Sequence, residues 1–264
     1  MKLLDNTIIN FPDGHKHLKA ISGHHKFVQV AIKSFDDLFL LAQFKEVHPE
    51  CETLDIKYLL GARCDRRFSE YEALDLKIVG TFINDLNFEL VTILQPHSKV
   101  ALDLIDRSQA ADVNYGLIES CLRQNEITRC SLVAPDSGAS KWVHRYTVDP
   151  NWCHMELVQG HKARDEQGYI IDTYVKGKVE ETCIILDDLC DGGATFIHLA
   201  KALRSRGAKK VYLCVTHGIF SKGFEVFRGL IDGIYTTNSF QDWYVRDTSR
   251  INADVIKKVI NVWN

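Results

Sequence analysis

At 264 residues the chain is long enough for one large domain or two smaller ones, each with its own core. Hydrophobic residues make up 45% and charged residues 25%, which excludes a largely disordered chain, and a formal net charge of -3 offers no global basic excess for nucleic acid or an anionic membrane surface. No apolar run approaches the roughly 20 residues that span a bilayer, and the N-terminal stretch MKLLDNTIINFPDGHK is too polar for a signal peptide. The eight cysteines, Cys51, Cys64, Cys121, Cys130, Cys153, Cys183, Cys190 and Cys214, include no C-x-x-C pair. Zinc ribbons and thioredoxin-type sites are therefore disfavoured, and reduced thiols in a cytoplasm are the expectation.

In chain order, LDIKYLL (Leu54 to Leu60) reads as a strand and Glu70 to Asn87 as an amphipathic helix. FELVTIL (Phe88 to Leu94) is strand-like and stops at Gln95-Pro96. VNYGLIESCLRQN is helical, CSLVAP (Cys130 to Pro135) is a strand ended by proline, and GASKWVHRY is a further helix. CHMELVQ predicts a strand, followed by a polar stretch from Gly160 to Gly168 that reads as a loop, and YIIDTYVKG alternates as half of a hairpin. TCIIL (Thr182 to Leu186) is a short buried strand. Thr195 to Arg206 is a helix closed by Gly207 at C′, VYLCVTHG is another buried strand, and Asn252 to Trp263 reads as a last amphipathic helix that packs back on the first domain.

Strands alternating with helices of about 10–15 residues predict an α/β fold with mainly parallel sheets. Residues 54–94 and 182–216 share a plan of strand, polar loop, helix and strand, which points to two similar halves. A boundary falls near residue 112, after RSQAAD, giving an N-terminal domain of residues 1–112 and a C-terminal domain of residues 113–264.

The most informative segment begins at Cys183 with IILDDLCDGGATF. A buried strand ends in Asp187 and Asp188. The loop Leu189, Cys190, Asp191, Gly192, Gly193, Ala194, Thr195 then leads into a helix. Glycines let backbone approach an anion, and the free N–H groups and dipole of a helix N-terminus favour it. Thr195 adds a hydroxyl donor, and paired carboxylates suit vicinal ribose hydroxyls. The same residues also fit a plain strand end followed by a turn, and physical pattern alone does not choose between the two.

DDLCDGGAT resembles the phosphoribosyl-diphosphate loop shared by type I phosphoribosyltransferases and ribose-phosphate diphosphokinases (PRPP synthetases). THGIFSKG (Thr216 to Gly223) and VAPDSGASKWV (Val133 to Val143) resemble the diphosphokinases specifically. So do ARCDRR (Ala62 to Arg67), HKARD (His161 to Asp165) and FPDGH (Phe11 to His15), all in the family's order and across most of the chain. The chain starts almost at the F-x-D-G element, so it is expected to lack the family's first strand and helix. The resemblance implies two phosphoribosyltransferase-like α/β domains, ATP-side and ribose-phosphate-side, with the active site where they meet.

The resemblance further implies transfer of the β,γ-diphosphate of ATP to the anomeric 1-hydroxyl of ribose 5-phosphate, with ATP as co-substrate and Mg2+ as cofactor. It makes Lys162, Arg164 and His97 catalytic, with His97 and Asp136 toward the metal. Arg63 and Asp65 would hold the ATP phosphates, while Arg66 and Arg67 are as readily solvated. Phe11 and Asp13 would recognise adenine in a neighbouring subunit's site, so a homo-oligomer, dimer or higher, is expected. Asp187 and Asp188 would take ribose hydroxyls, and Asp191, Gly192, Gly193, Ala194 and Thr195 the sugar's phosphate. No nucleic acid or membrane partner is expected.

Four positions depart from the family pattern. His15 replaces Glu beside the adenine contact, and Cys64 replaces an amide near ATP. In the phosphate loop Gly192 replaces Thr and Ala194 replaces Gly, which removes a hydroxyl donor and adds a methyl group on the 5′ side of the acceptor. A second acceptor is therefore an alternative: ADP-ribose, as in viral relatives that feed NAD salvage, with the same anomeric hydroxyl. Three rivals remain in view. A phosphoribosyltransferase has no reason to carry K-x-R, F-x-D-G and THGIFS together. A non-catalytic associated subunit would alter Lys162, Arg164, His97 or Asp136. A transcription factor on this fold would need a helix-turn-helix, which residues 1–53 do not show.

Overall fold

A computed structural model describes residues 2–149, 152, 155–164, 170–243 and 256–263. The chain divides into two compact units, Met1–Asp112 with Val262–Asn264, and Val113–Asn261.

The first unit opens with β1 (Thr7–Asn10) and β2 (Lys16–Lys19), an antiparallel hairpin with Thr7 opposite Lys19. β3 (Phe27–Ala31), α1 (Phe35–Val47), β4 (Thr53–Tyr58), α2 (Asp75–Asp85), β5 (Leu90–Leu94), α3 (Val100–Leu104) and β6 (Ser108–Ala111) follow. The four later strands form a parallel sheet in the order β3-β4-β5-β6. Side chains alternate between the faces of a strand: Val28, Val30, Leu54, Ile56, Val91 and Ile93 align in register on one face and are buried, while Gln29 and Asp55 hydrogen-bond on the other. Leu38, Leu41 and Phe44 of α1 and Leu76, Val79 and Ile83 of α2 complete this core.

α1 starts at a capping box in which Ser34 Oγ accepts from the Asp37 amide and Asp37 Oδ2 accepts from the Ser34 amide. That S-x-x-D signal marks the start of the helix, and α1 and β3 lie outside the elements expected from sequence. α2 begins at Asp75, not Glu70, because residues 70–74 are turn and irregular chain.

The second unit contains α4 (Asn114–Gln124), β7 (Cys130–Ala134), α5 (Ser137–Thr147), β8 (Met155–Arg164), β9 (Ile170–Lys176) and β10 (Thr182–Cys190). It continues through α6 (Ala194–Ser205), β11 (Lys210–Gly218), β12 (Gly233–Thr237) and β13 (Ile256–Ile260). The sheet order is β13-β12-β11-β10-β7-β8-β9, parallel except for the β8–β9 pair. Successive residues of β10 feed opposite faces, as a period of two requires. Cys183 and Ile185 join Leu199, Leu203 and Val215 in one core, while Ile184 and Leu186 join Leu117, Val143 and Cys214 in the other.

Three sequence expectations change. Residues 256–260 form a strand beside β12, with Ile234 opposite Ile256, and not part of a helix; residues 252–255 lie outside the described residues. Ile256, Val259 and Ile260 are β-branched and suit a strand, and pairing with β12 keeps that fully buried strand from the sheet edge. β10 runs on through Asp187 and Asp188 to Cys190, because β11 continues to pair with it as far as Gly218. Gly160 to Arg164 are strand and not loop: they pair antiparallel with β9, and the remainder of the expected loop, 165–168, lies outside the described residues. An antiparallel arm of this kind can be polar, which conceals it in the sequence.

The described cysteines are free thiols, and all but Cys64 are buried. Burial pushes Cys130 and Cys183 up to about 12, which keeps both thiols protonated. Among the described residues no helix is long and apolar enough to cross a membrane.

Candidate active site

In the second unit the chemistry-bearing residues gather at the carboxyl ends of neighbouring parallel strands, where open α/β sheets bind ligands. β7 ends at Ala134, and Asp136 follows as the N-cap of α5, with Oδ1 accepting from the Ala139 amide at 3.0 Å. Its other oxygen accepts from Lys162 Nζ at 3.3 Å. The Asp136 side chain is 52% exposed and that of Lys162 15% exposed. The adjacent β8 thus brings Lys162 to Asp136. Arg164 is the last residue of β8, opposite Ile170.

On β10, the Asp188 amide donates to Asp187 Oδ1 at 3.0 Å. Desolvation, followed by the neighbouring Asp188 carboxylate, holds the Asp187 carboxyl well above the usual carboxylate range. Asp188 is 8% exposed. The two carboxyls are therefore crowded together, oxygen acceptors suited to a ligand bearing hydroxyls.

The turn after β10 is Asp191-Gly192-Gly193, shorter than the loop expected from sequence. Gly193 caps α6 at φ 81°, and a Cβ there would stand 2.5 Å from Phe227 Cζ. Only glycine fits both constraints. Ala194 is the first residue of α6 and is exposed, so the substituted methyl group points away from the packed backbone. Thr195 follows in the first turn, where the Phe196 and Ile197 amides already donate to the Gly193 carbonyl, both at 3.0 Å, and the N–H groups before them are the helix's orphan donors. Ser221 Oγ donates to Asp191 Oδ1 at 2.6 Å. Ser221 lies in the Thr216 to Gly223 stretch, some 30 positions from Asp191; the sequence offers no local signal that the two meet.

In the first unit, Arg63 and Asp65 follow β4, and His97 follows β5, both on the carboxyl edge of that sheet. Arg63 and His97 are exposed. Asp65 is only 11% exposed; its Oδ1 is buried, accepts no hydrogen bond among the described residues, and has Arg66 Nε 3.6 Å away. Phe11 and Asp13 occupy the tip between β1 and β2. Asp13 Oδ1 accepts from the His15 amide at 3.0 Å, and Phe11, 46% exposed, has its ring centroid 5.6 Å from that of His15. His15 thus serves the tip itself, packing between Phe11 and Phe39. His97 belongs to the first unit and Asp136 to the second.

Among the described residues no group of three or more His, Cys, Asp or Glu side chains is arranged to hold a metal alone. Mg2+ is usually held by one or two carboxylates plus substrate phosphates. Within the second unit, the half-exposed Asp136 carboxylate, near Asp187, is a hard oxygen donor that fits an ion held largely by substrate phosphates.

The chain is similar to several known proteins. Residues 156–261 match the family model described as the phosphoribosyl synthetase-associated domain. The chain is 25% identical over 277 residues to a ribose-phosphate pyrophosphokinase of Methanobrevibacter smithii, covering 96% of this chain and 89% of the relative. It is 42% identical over 212 residues to the Mycoplasmopsis pulmonis protein of the same name, covering 79% of this chain and 65% of that one. Among solved structures, phosphoribosylpyrophosphate synthetase from Mycobacterium smegmatis superposes with a TM-score of 0.79 at 17% identity, over 97% of this chain and 86% of that one. That likeness establishes the fold: α/β, with parallel sheets flanked by helices.

Proposed function

The chain belongs to the ribose-phosphate pyrophosphokinase family, and from that premise we propose that it transfers the β,γ-diphosphate of ATP to the anomeric hydroxyl of ribose 5-phosphate. The products are phosphoribosyl diphosphate and AMP. A bond forms between the anomeric oxygen and the β-phosphorus, the bridge between the α- and β-phosphorus breaks, and the hydroxyl proton is lost. The observation that carries the reading is the convergence on β7, β8 and β10. A carboxylate pair, a glycine turn at a helix N-terminus and a lysine held by Asp136 share one sheet edge.

Phosphoryl transfer of this type needs positioning and charge stabilisation more than covalent catalysis. Lys162 and Arg164 would stabilise the charge on the transferring group. Asp187 and Asp188 would accept the ribose hydroxyls, and Asp191, Gly192, Gly193, Ala194 and Thr195 would surround the 5′-phosphate. Arg63 and Asp65 would bind the ATP phosphates, and Phe11 and Asp13 adenine in a neighbouring subunit, which requires a homo-oligomer. His97 and Asp136 would hold Mg2+, which when bound neutralises charge on the ATP phosphates. A cytoplasmic location accords with the free thiols.

ADP-ribose is a second reading. Gly192 offers no side-chain hydroxyl to a terminal phosphate dianion, and Asp191 and Ala194 are exposed, so a larger 5′ substituent has a way out to solvent.

The test is AMP release from ATP with Mg2+, run with ribose 5-phosphate and with ADP-ribose. AMP should form only with an acceptor, and the Lys162→Ala/Arg164→Ala variant should lose at least about 100-fold, the scale of a removed charge stabiliser. A strong preference for ribose 5-phosphate eliminates the second reading. No AMP with either acceptor refutes the transfer and favours a phosphoribosyltransferase or a non-catalytic subunit.

A further inference from the structure

Cys190 ends β10 and Gly218 ends β11, directly opposite one another. The chain segments leaving these two strands stay bound together. The Ile219 and Phe220 amides both donate to the Cys190 carbonyl, at 2.9 and 3.2 Å. Ser221 Oγ reaches Asp191. The Gly223 amide donates to the Phe220 carbonyl at 2.8 Å, closing a turn in which Gly223 has φ 70°. Phe220 anchors that turn from below, with its ring centroid 4.7 Å from Phe224 and 5.5 Å from Trp243. The backbone on both sides of Lys222 is thereby fixed against the Asp191-Gly192-Gly193 turn.

The Lys222 side chain lies across Gly192. Its Cδ and Cε are each 3.4 Å, and its Cγ 3.6 Å, from the point where a Cβ on Gly192 would stand. The methylenes therefore lie within van der Waals reach of Gly192 and bring the end of the lysine side chain beside the turn. Among the described residues no carboxylate pairs with it, and the side chain is exposed. The adjacent Asp191 carboxylate opposes any anion entering the turn, and the charge of Lys222 offsets it.

We propose that Lys222 is a further specificity-determining residue of the acceptor site, its ammonium binding the phosphoryl group on the 5′ carbon of the ribose where Gly192 leaves no side-chain donor. This rests on the acceptor reading above and deepens it. The shared chemistry is a 5′-phosphorylated ribose, present both as the monoester of ribose 5-phosphate and as the diphosphate of ADP-ribose. A flexible ammonium suits either better than a single fixed hydroxyl does.

The test is titration calorimetry with Mg2+ and α,β-methylene ATP, in which the bond broken by the reaction is blocked. Ribose 5-phosphate, ADP-ribose and unphosphorylated ribose are compared on the wild type, Lys222→Ala and Lys222→Arg. Lys222→Ala should weaken the preferred phosphorylated acceptor about ten-fold, the scale of one charged hydrogen bond, and leave ribose unchanged. Lys222→Arg should restore most of the loss. The gap between wild type and Lys222→Ala should narrow at about 0.5 M salt, which a merely structural role would not produce. Equal affinities for wild type and Lys222→Ala, equal losses for ribose, or no binding of either phosphorylated acceptor by the wild type would each overturn the proposal. AMP release is measured separately: binding that depends on Lys222 without AMP release refutes the reaction while the assignment of Lys222 stands.

Discussion

Gly193→Ala concentrates two separate costs at one atom. At φ 81° an L-residue meets its own carbonyl, a cost of about 1–2 kcal/mol. The new methyl group would also stand 2.5 Å from Phe227 Cζ and 2.8 Å from Cε1, well inside contact distance. Phe227 is fully buried and packed against Phe220, so it cannot swing aside freely, and overpacking of this kind costs about 1–3 kcal/mol. Together the substitution should destabilise the second unit by roughly 2–5 kcal/mol and raise the acceptor KM, since the α6 N-terminus must move. Ala194→Gly is the contrast. Ala194 is exposed at the first helical position, and its loss should cost at most about 1 kcal/mol. The assay is urea unfolding followed by tryptophan fluorescence and circular dichroism. Adding Phe227→Leu to Gly193→Ala should recover the packing part of the loss but not the backbone part, so the two changes should be less than additive. The reasoning fails if Gly193→Ala unfolds within about 0.5 kcal/mol of wild type, or if Ala194→Gly costs as much.

Burial and Asp188 raise the Asp187 pKa, so its protonated form favours the fold: that contribution is complete below the unfolded value near 3.9 and is lost as pH rises through the raised folded value. Without divalent cation, the wild-type urea midpoint should fall over that window while Asp187→Asn stays flatter; parallel curves would rule this out. Cys64 is exposed whereas the other described cysteines are buried, so brief treatment of native protein with a thiol reagent should label Cys64 before those six. Peptide mapping that finds a core cysteine such as Cys130 labelled first would contradict the packing.

Much of the fold and part of the site were legible in the chain itself, because they depend on neighbours in sequence. Apolar runs such as Cys183 to Leu186 announce strands covered on both faces, Gly207 announces a helix end, and Asp136 and Gly193 stand where a helix begins. The pairing of strand, loop, helix and strand in 54–94 and 182–216 appears as parallel neighbours β4–β5 and β10–β11. Tertiary structure alone decided the rest. Residues 256–260 carry a spacing that suits either a helix or a strand, and the unpaired edge of β12 settles it. The K-x-R segment reads as loop until β9 pairs with it, and Lys162 gains a partner only because β8 lies beside β7. That Gly193 must be glycine depends on Phe227, and the occupied space over Gly192 depends on Lys222, each some 30 positions away in sequence. Local periodicity and capping act within one or two turns of chain, whereas register, close packing and charge pairing join segments that only the completed sheet brings into contact.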